Sequence, residues 1–95
     1  MLTASEARKA VRLTSDAMDD ELVAMANAGA ADLATAGVIE PADSAARYLY
    51  DQALRMYLRA HFEPDAPEAP KCLEIYRSLK ETMKLSDTYR EARTE

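Results

Sequence analysis

Few side chains in this sequence are capable of chemistry, and their spacing does not assemble a reaction centre. His61 is the only histidine, which excludes a two-histidine metal site or a multi-histidine acid–base relay within one chain. It falls at the end of an apolar helical segment, where the helix dipole favours a cation, so a capping role is expected of it. Cys72 is the single cysteine. It sits on an apolar stripe and reads as a small core residue rather than a nucleophile. A lone cysteine permits no internal disulfide, which fits a reducing compartment. Asp16, Asp19, Asp20 and Glu21 form an acidic cluster, but the glycine and alternating ligands of a calcium loop are missing. A glycine-rich phosphate loop and a dinucleotide fingerprint are missing too. The five tyrosines lack the interleaved basic residues of a base-stacking platform. On these residues the chain is expected to be no enzyme and to hold no cofactor or metal.

The elements that carry these residues read as an all-α, compact bundle of about four helices. The chain has 95 residues, two glycines, four prolines and 48% hydrophobic residues, the profile of one loop-poor helical domain with a single modest core. The first helix is expected from a cap at Thr3, with Glu6 as its capping-box partner, to about Leu13. Ala7, Ala10 and Val11 form its apolar stripe. Thr14, Ser15 and Asp16 are expected to break it and cap the next helix. That second helix carries acids at its positive end, an apolar face of Leu22, Met25, Ala26, Gly29 and Leu33, and Gly37 to close it in a left-handed turn. Val38 and Ile39 should fold back on the core, with Pro41 preventing continuation.

Asp43 or Ser44 caps a third helix reaching about Phe62, the expected spine. Leu49, Ala53, Met56, Tyr57 and Ala60 line one face, and Tyr48, Tyr50, Leu54 and Leu58 widen it beyond a single stripe. Arg47, Asp51, Arg55 and Arg59 recur every fourth residue on the opposite face. Residues 63–70, EPDAPEAP, read as a stiff acidic connector whose Pro70 starts the fourth helix, with a polyproline II ligand as the other reading. The fourth helix buries Cys72, Ile75, Tyr76, Leu79 and Met83. The domain is expected over residues 1–85. Residues 86–95 are too polar to form a core of their own and are expected as a mobile tail that becomes ordered on a partner and adds little stability.

The formal net charge of −5 is uneven: residues 16–43 hold seven acids and no base. That distribution argues against a broad basic face for gripping DNA. A helix-turn-helix reading of the short junction at Leu13–Asp16 ranks last, because the following helix opens with acids that phosphates would repel. No apolar run is long enough to span a bilayer, and a secretory leader pattern is lacking, so a soluble protein made in the cytoplasm is expected.

The order of elements resembles the small head–tail connector proteins of long-tailed bacteriophages, often described as DNA-packaging proteins. Leu2, Glu6, Ala7 and Arg8 echo the opening helix of that family. Asp19, Asp20, Glu21, Leu22 and Gly37 echo its acidic cluster and small-residue helix. Ala45 to Pro70 matches its long apolar helix and acidic proline-containing loop, and Leu73, Ile75, Tyr76 and Leu79 fit its closing helix. The resemblance implies a structural virion subunit at the head–tail junction. Its cyclic homo-oligomer, twelvefold on the portal protein, would extend the DNA channel, pass DNA without specific binding, and dock a tail or stopper protein. Surplus apolar surface suggests Gly29, Tyr50, Leu54 and Leu58 as a subunit interface. Asp32 and Glu40 are candidates for acids facing the channel, and Tyr89, Arg90 and Arg93 for docking on the portal. A helical interaction or adaptor domain outside phage would carry the same features.

Overall fold

The computed structural model describes residues 2–90. Four helices, α1 (Ala4–Ala10), α2 (Asp19–Thr35), α3 (Ser44–Phe62) and α4 (Ala69–Lys84), are followed by a single 3-10 turn at Asp87–Tyr89, and no strand occurs among the described residues. The all-α bundle expected from the sequence is therefore the fold.

Local signals set most helix ends. The Thr3–Glu6 capping box forms in full, each side chain accepting from the other's backbone N–H at 3.0–3.1 Å. Asp43 caps α3 by accepting from Ala46 N at 3.1 Å. At the end of α2, Gly37 adopts φ 88°. Val38 N then donates to Leu33 O and Gly37 N to Ala34 O, the paired closure that a left-handed residue permits. The same closure ends α1, where Leu13 N donates to Arg8 O and Arg12 N to Lys9 O. There the left-handed residue is Arg12, at φ 61°, so α1 stops at Ala10 rather than near Leu13. The start of α2 also departs from expectation. Its cap position is Met18 without a side-chain hydrogen bond, while Ser15 Oγ accepts from Ala17 N within the preceding turn. The acids Asp19, Asp20 and Glu21 occupy the first turn, where the dipole favours them. The 63–68 connector is a run of turns, with Ala66 N on Glu63 O and Ala69 N on Ala66 O, and not an extended polyproline segment.

α3 is the spine: α4, α2 and α1 all pack on it. Leu22, Leu33, Val38, Leu54, Leu58 and Met83 are fully buried, each contributing about 1.5–3 kcal/mol. Tyr50, Leu54 and Leu58, expected at a subunit interface, are thus inside the chain's own core. Gly29 is interior as well. A Cβ placed there would lie 2.9 Å from Tyr57 Cδ1 and 3.2 Å from Leu54 Cδ2, so its missing side chain serves the contact of α2 with α3, not a contact between subunits. Tyr48, by contrast, is 65% exposed, and Ile75 also faces out of the core.

The charged row on α3 is a seam rather than a solvent face. Arg59 Nε donates to Ala10 O at 2.8 Å, and Arg55 Nη2 reaches Glu6 Oε2 at 3.3 Å. Arg8 Nε lies 2.9 Å from Asp19 Oδ1, with both atoms shut off from solvent. A helix of seven residues does not hold its own shape. These contacts, with burial of Leu2, Ala7 and Ala10, hold α1 in place.

The domain boundary expected at residue 85 is corrected. Tyr89 is buried, its hydroxyl donates to Ala46 O at 2.9 Å, and its carbonyl accepts from Ile39 N at 2.7 Å. Arg90 donates through Nε and Nη2 to Lys84 O, closing the end of α4. Residues 86–90 belong to the fold because one aromatic ring and two backbone bonds outweigh the polar composition around them. Residues 91–95, with Arg93, lie outside the described residues.

Two substitutions test this packing. Gly29→Ala gains up to about 1 kcal/mol of helix propensity but meets the fixed root of the Tyr57 ring, an overpacking cost of about 1–3 kcal/mol. Net destabilisation is expected in urea unfolding. Tyr89→Ala should lower stability by about 3–5 kcal/mol, the range for losing a buried aromatic, measured the same way; a change below 0.5 kcal/mol would mean that residues 86–90 are not part of the cooperative unit.

Candidate functional site

The densest group of chemically capable side chains forms where α2, α3 and α4 meet. Tyr76 donates its hydroxyl to Asp32 Oδ2 in a short hydrogen bond, and Lys80 Nζ reaches the same oxygen at 3.2 Å. Lys80 also lies 5.4 Å from the Tyr76 ring centroid. The Tyr57 ring meets Tyr76 edge-on at 5.2 Å and stacks on His61 at 4.0 Å. Helical spacing produces this: Tyr57 and His61 are one turn apart on α3, and Tyr76 and Lys80 are one turn apart on α4.

The electrostatics follow from the contacts. The Tyr76 hydrogen bond, aided by Lys80, holds the Asp32 carboxyl below the usual range against the opposing effect of burial. Burial and then Asp32 push the Tyr76 phenol far up, so it stays protonated and donates. Burial likewise raises Tyr50 and Tyr89. His61 Nδ1 lies 2.9 Å from the Tyr57 carbonyl, a contact that places its proton on Nδ1. The ring therefore closes the last turn of α3, as its position in the sequence indicates. The cluster is a fastener of α2 to α4. Its polar groups spend their hydrogen bonds on one another, and an open cleft lies elsewhere. Among the described residues, no three His, Cys, Asp or Glu side chains converge as metal ligands. Cys72 is buried.

The site residues expected from the sequence do not come together. Asp32 is held by Tyr76 and Lys80, though 43% of its side chain stays exposed. Glu40 is exposed on the segment between α2 and α3. Tyr89 faces inward, and Arg90, half exposed, caps α4 and pairs with Asp87 at 3.4 Å. The polar tail composition hid the role of Tyr89, whose partners Ala46 and Ile39 are more than forty residues away in sequence.

Two surface features lie outside those expectations. An open cleft of about 190 Å³ sits between the end of α1, the end of α3 and the connector, with Leu13, Phe62 and Ala66 as apolar lining and Arg12, Glu63 and Glu68 as charged lining. Large apolar side chains also remain in solvent, foremost Leu85 at 83% and Tyr48. Neither feature follows from local sequence: Leu85 stands just past the apolar stripe of α4, and the cleft is lined by residues more than forty positions apart.

Fold and site together define an all-α, four-helix protein whose conspicuous polar groups serve structure. No protein-family model, no curated protein and no solved structure matches the chain. No described helix is long and apolar enough to cross a membrane.

The pH dependence of the Asp32 fastener is set by its lowered carboxyl. Stability from a depressed carboxylate is complete above the unfolded value of about 3.9 and is lost as pH falls through the folded value. Glu6, lowered by its bonds from Thr3, acts in the same direction. Asp32→Asn should therefore destabilise by about 0.5–1 kcal/mol at pH 7, a partly exposed charge being discounted for solvent. The difference from the parent should shrink below pH 4 in thermal melts; an unchanged difference at pH 3 would mean that the ionised carboxylate is not what fastens α4.

Proposed function

We propose that this chain is a structural, non-enzymatic subunit of a phage head–tail connector. It would assemble as a cyclic homo-oligomer beneath the portal protein, extend the DNA channel, and offer a docking surface to a tail or stopper protein in the virion. One observation carries the reading: the polar cluster is consumed in holding helices together, while Val23, Ile39, Tyr48, Ile75 and Leu85 remain exposed. A protein whose reactive groups are structural and whose spare surface is apolar is suited to binding other proteins. The acidic stretch from Asp16 to Asp43 suits a component that DNA passes without adhering, since phosphate binding needs the opposite charge.

The interface assignment changes with the fold. Gly29, Tyr50, Leu54 and Leu58 are committed to the core, so subunit contacts in this reading fall to the exposed apolar residues. Docking on the portal falls to surfaces other than the Tyr89 ring.

Electron microscopy and light scattering of the purified protein, alone and mixed with portal protein, test the assignment. Rings are expected, with portal if not alone. A strictly one-to-one, non-cyclic complex would sink it and favour a helical adaptor domain.

A further inference from the structure

We infer that α1 is exchanged between copies of this chain, the helix of one copy taking the seat that α1 occupies in another. The seat selects its occupant. Glu6 meets Arg55, Arg8 meets Asp19, and Ala10 O accepts from Arg59, while Leu2, Ala7 and Ala10 fill the apolar part. Three directional polar contacts along a helix of seven residues fit α1 itself rather than any apolar helix, because charge-assisted bonds demand geometry as well as sign. An identical α1 from a second copy satisfies all of them, so exchange rebuilds every contact that it breaks.

The connection to α2 permits the exchange. α1 ends at Ala10 and α2 begins at Asp19, and the intervening residues 11–18 span about 26–29 Å when extended. That exceeds the two shorter dimensions of the molecule, 24 and 21 Å, so an opened hinge carries α1 onto a neighbour. The folded-back form needs Arg12 at φ 61°, the one positive φ outside glycine among the described residues, and a residue with a Cβ adopts that conformation at a steric cost. Extending the hinge relieves it, at the loss of the two bonds that close the turn, Leu13 N on Arg8 O and Arg12 N on Lys9 O. Val11, Arg12 and Leu13 border the open cleft, so the hinge is unpacked on that side.

Folding back has the advantage of a short tether, which acts as a local concentration of about a millimolar. Exchange competes where copies are crowded to that level, as in an assembly, and the strain at Arg12 lowers the threshold. Each copy gives one helix and receives one, so the exchange closes as a pair or as a ring. The inference concerns self-association and stands whether or not the connector reading does.

Charge reversal separates exchange from folding back. In a full chain carrying Arg8→Asp, positions 8 and 19 are both acidic; in one carrying Asp19→Arg, both are basic. Alone, each variant sets like charges against each other, whether folded back or exchanged with its own kind. Mixed, the two chains bring opposite charges together at both seats only by exchanging α1. Sedimentation of the equimolar mixture should show complexes absent from either variant alone, with association at least about tenfold tighter, since two close ion pairs replace two like-charge pairs. A mixture that sediments as the two single chains overturns the exchange. Should either variant lose its helicity by circular dichroism, Arg12→Gly decides. Glycine takes φ 61° freely, the folded-back form gains, and self-association near millimolar concentration should weaken at least about fivefold relative to the intact chain. Equal association of the two, or an intact chain that stays single at that concentration, overturns the inference. The connector reading is tested with portal protein and depends on neither result.

Discussion

The missing side chain at Gly29 governs the arrangement of three helices. Because nothing projects there, the Tyr57 ring lies against α2, closer than van der Waals contact to where a Cβ would stand. With Tyr57 so placed, its edge contact orients Tyr76, whose hydroxyl then meets Asp32 one turn further along α2. Lys80 completes the set by reaching the same carboxylate. The sequence of contacts runs from α2 to α3 to α4 and back to α2. A shift at its first member displaces the rest, because packed interiors transmit volume changes rather than absorb them.

Polar groups elsewhere do similar work at the margins of the core. α1 and the 86–90 segment are too short to be stable alone, yet both are held by side-chain donors on backbone carbonyls: Arg59 on Ala10 and Tyr89 on Ala46. The Ala10 carbonyl ends α1, where carbonyls lack an intrahelical partner, so Arg59 satisfies it where water would otherwise be needed, whereas Tyr89 bonds a carbonyl in the first turn of α3. Arg90 on Lys84 is the same device within one segment. Charged residues that suggest recognition on inspection are thereby used for cohesion.

That use shapes the functional reading. Once Asp32, Tyr76, Lys80, Arg55 and Arg59 are assigned to the fold, what remains for function is surface: apolar side chains in solvent and a small cleft with mixed charge at the opposite end from Leu85. In the proposed reading, these are the surfaces that would meet protein partners. Leu85 and the cleft lie at helix ends, while Tyr48 and Ile75 lie along α3 and α4 outside the faces that pack on other helices.

The four helices, their order, the Thr3–Glu6 capping box, the Asp43 cap and the Gly37 closure were legible in the sequence. Each depends on residues within five positions of one another, and periodicity marks which side of a helix is apolar. Helix α1 ended early because a left-handed Arg12 carries no compositional mark, and Met18 caps α2 without a side-chain signal. Which groups meet across helices was decided only by the tertiary structure. Asp32 and Tyr76 are 44 positions apart, as are Arg59 and Ala10 by 49, and no local pattern encodes such a pair. Periodicity shows that a face is apolar but not whether the chain itself covers it. That is settled when the other helices arrive, and here they cover Tyr50, Leu54 and Leu58 and leave Leu85 in water.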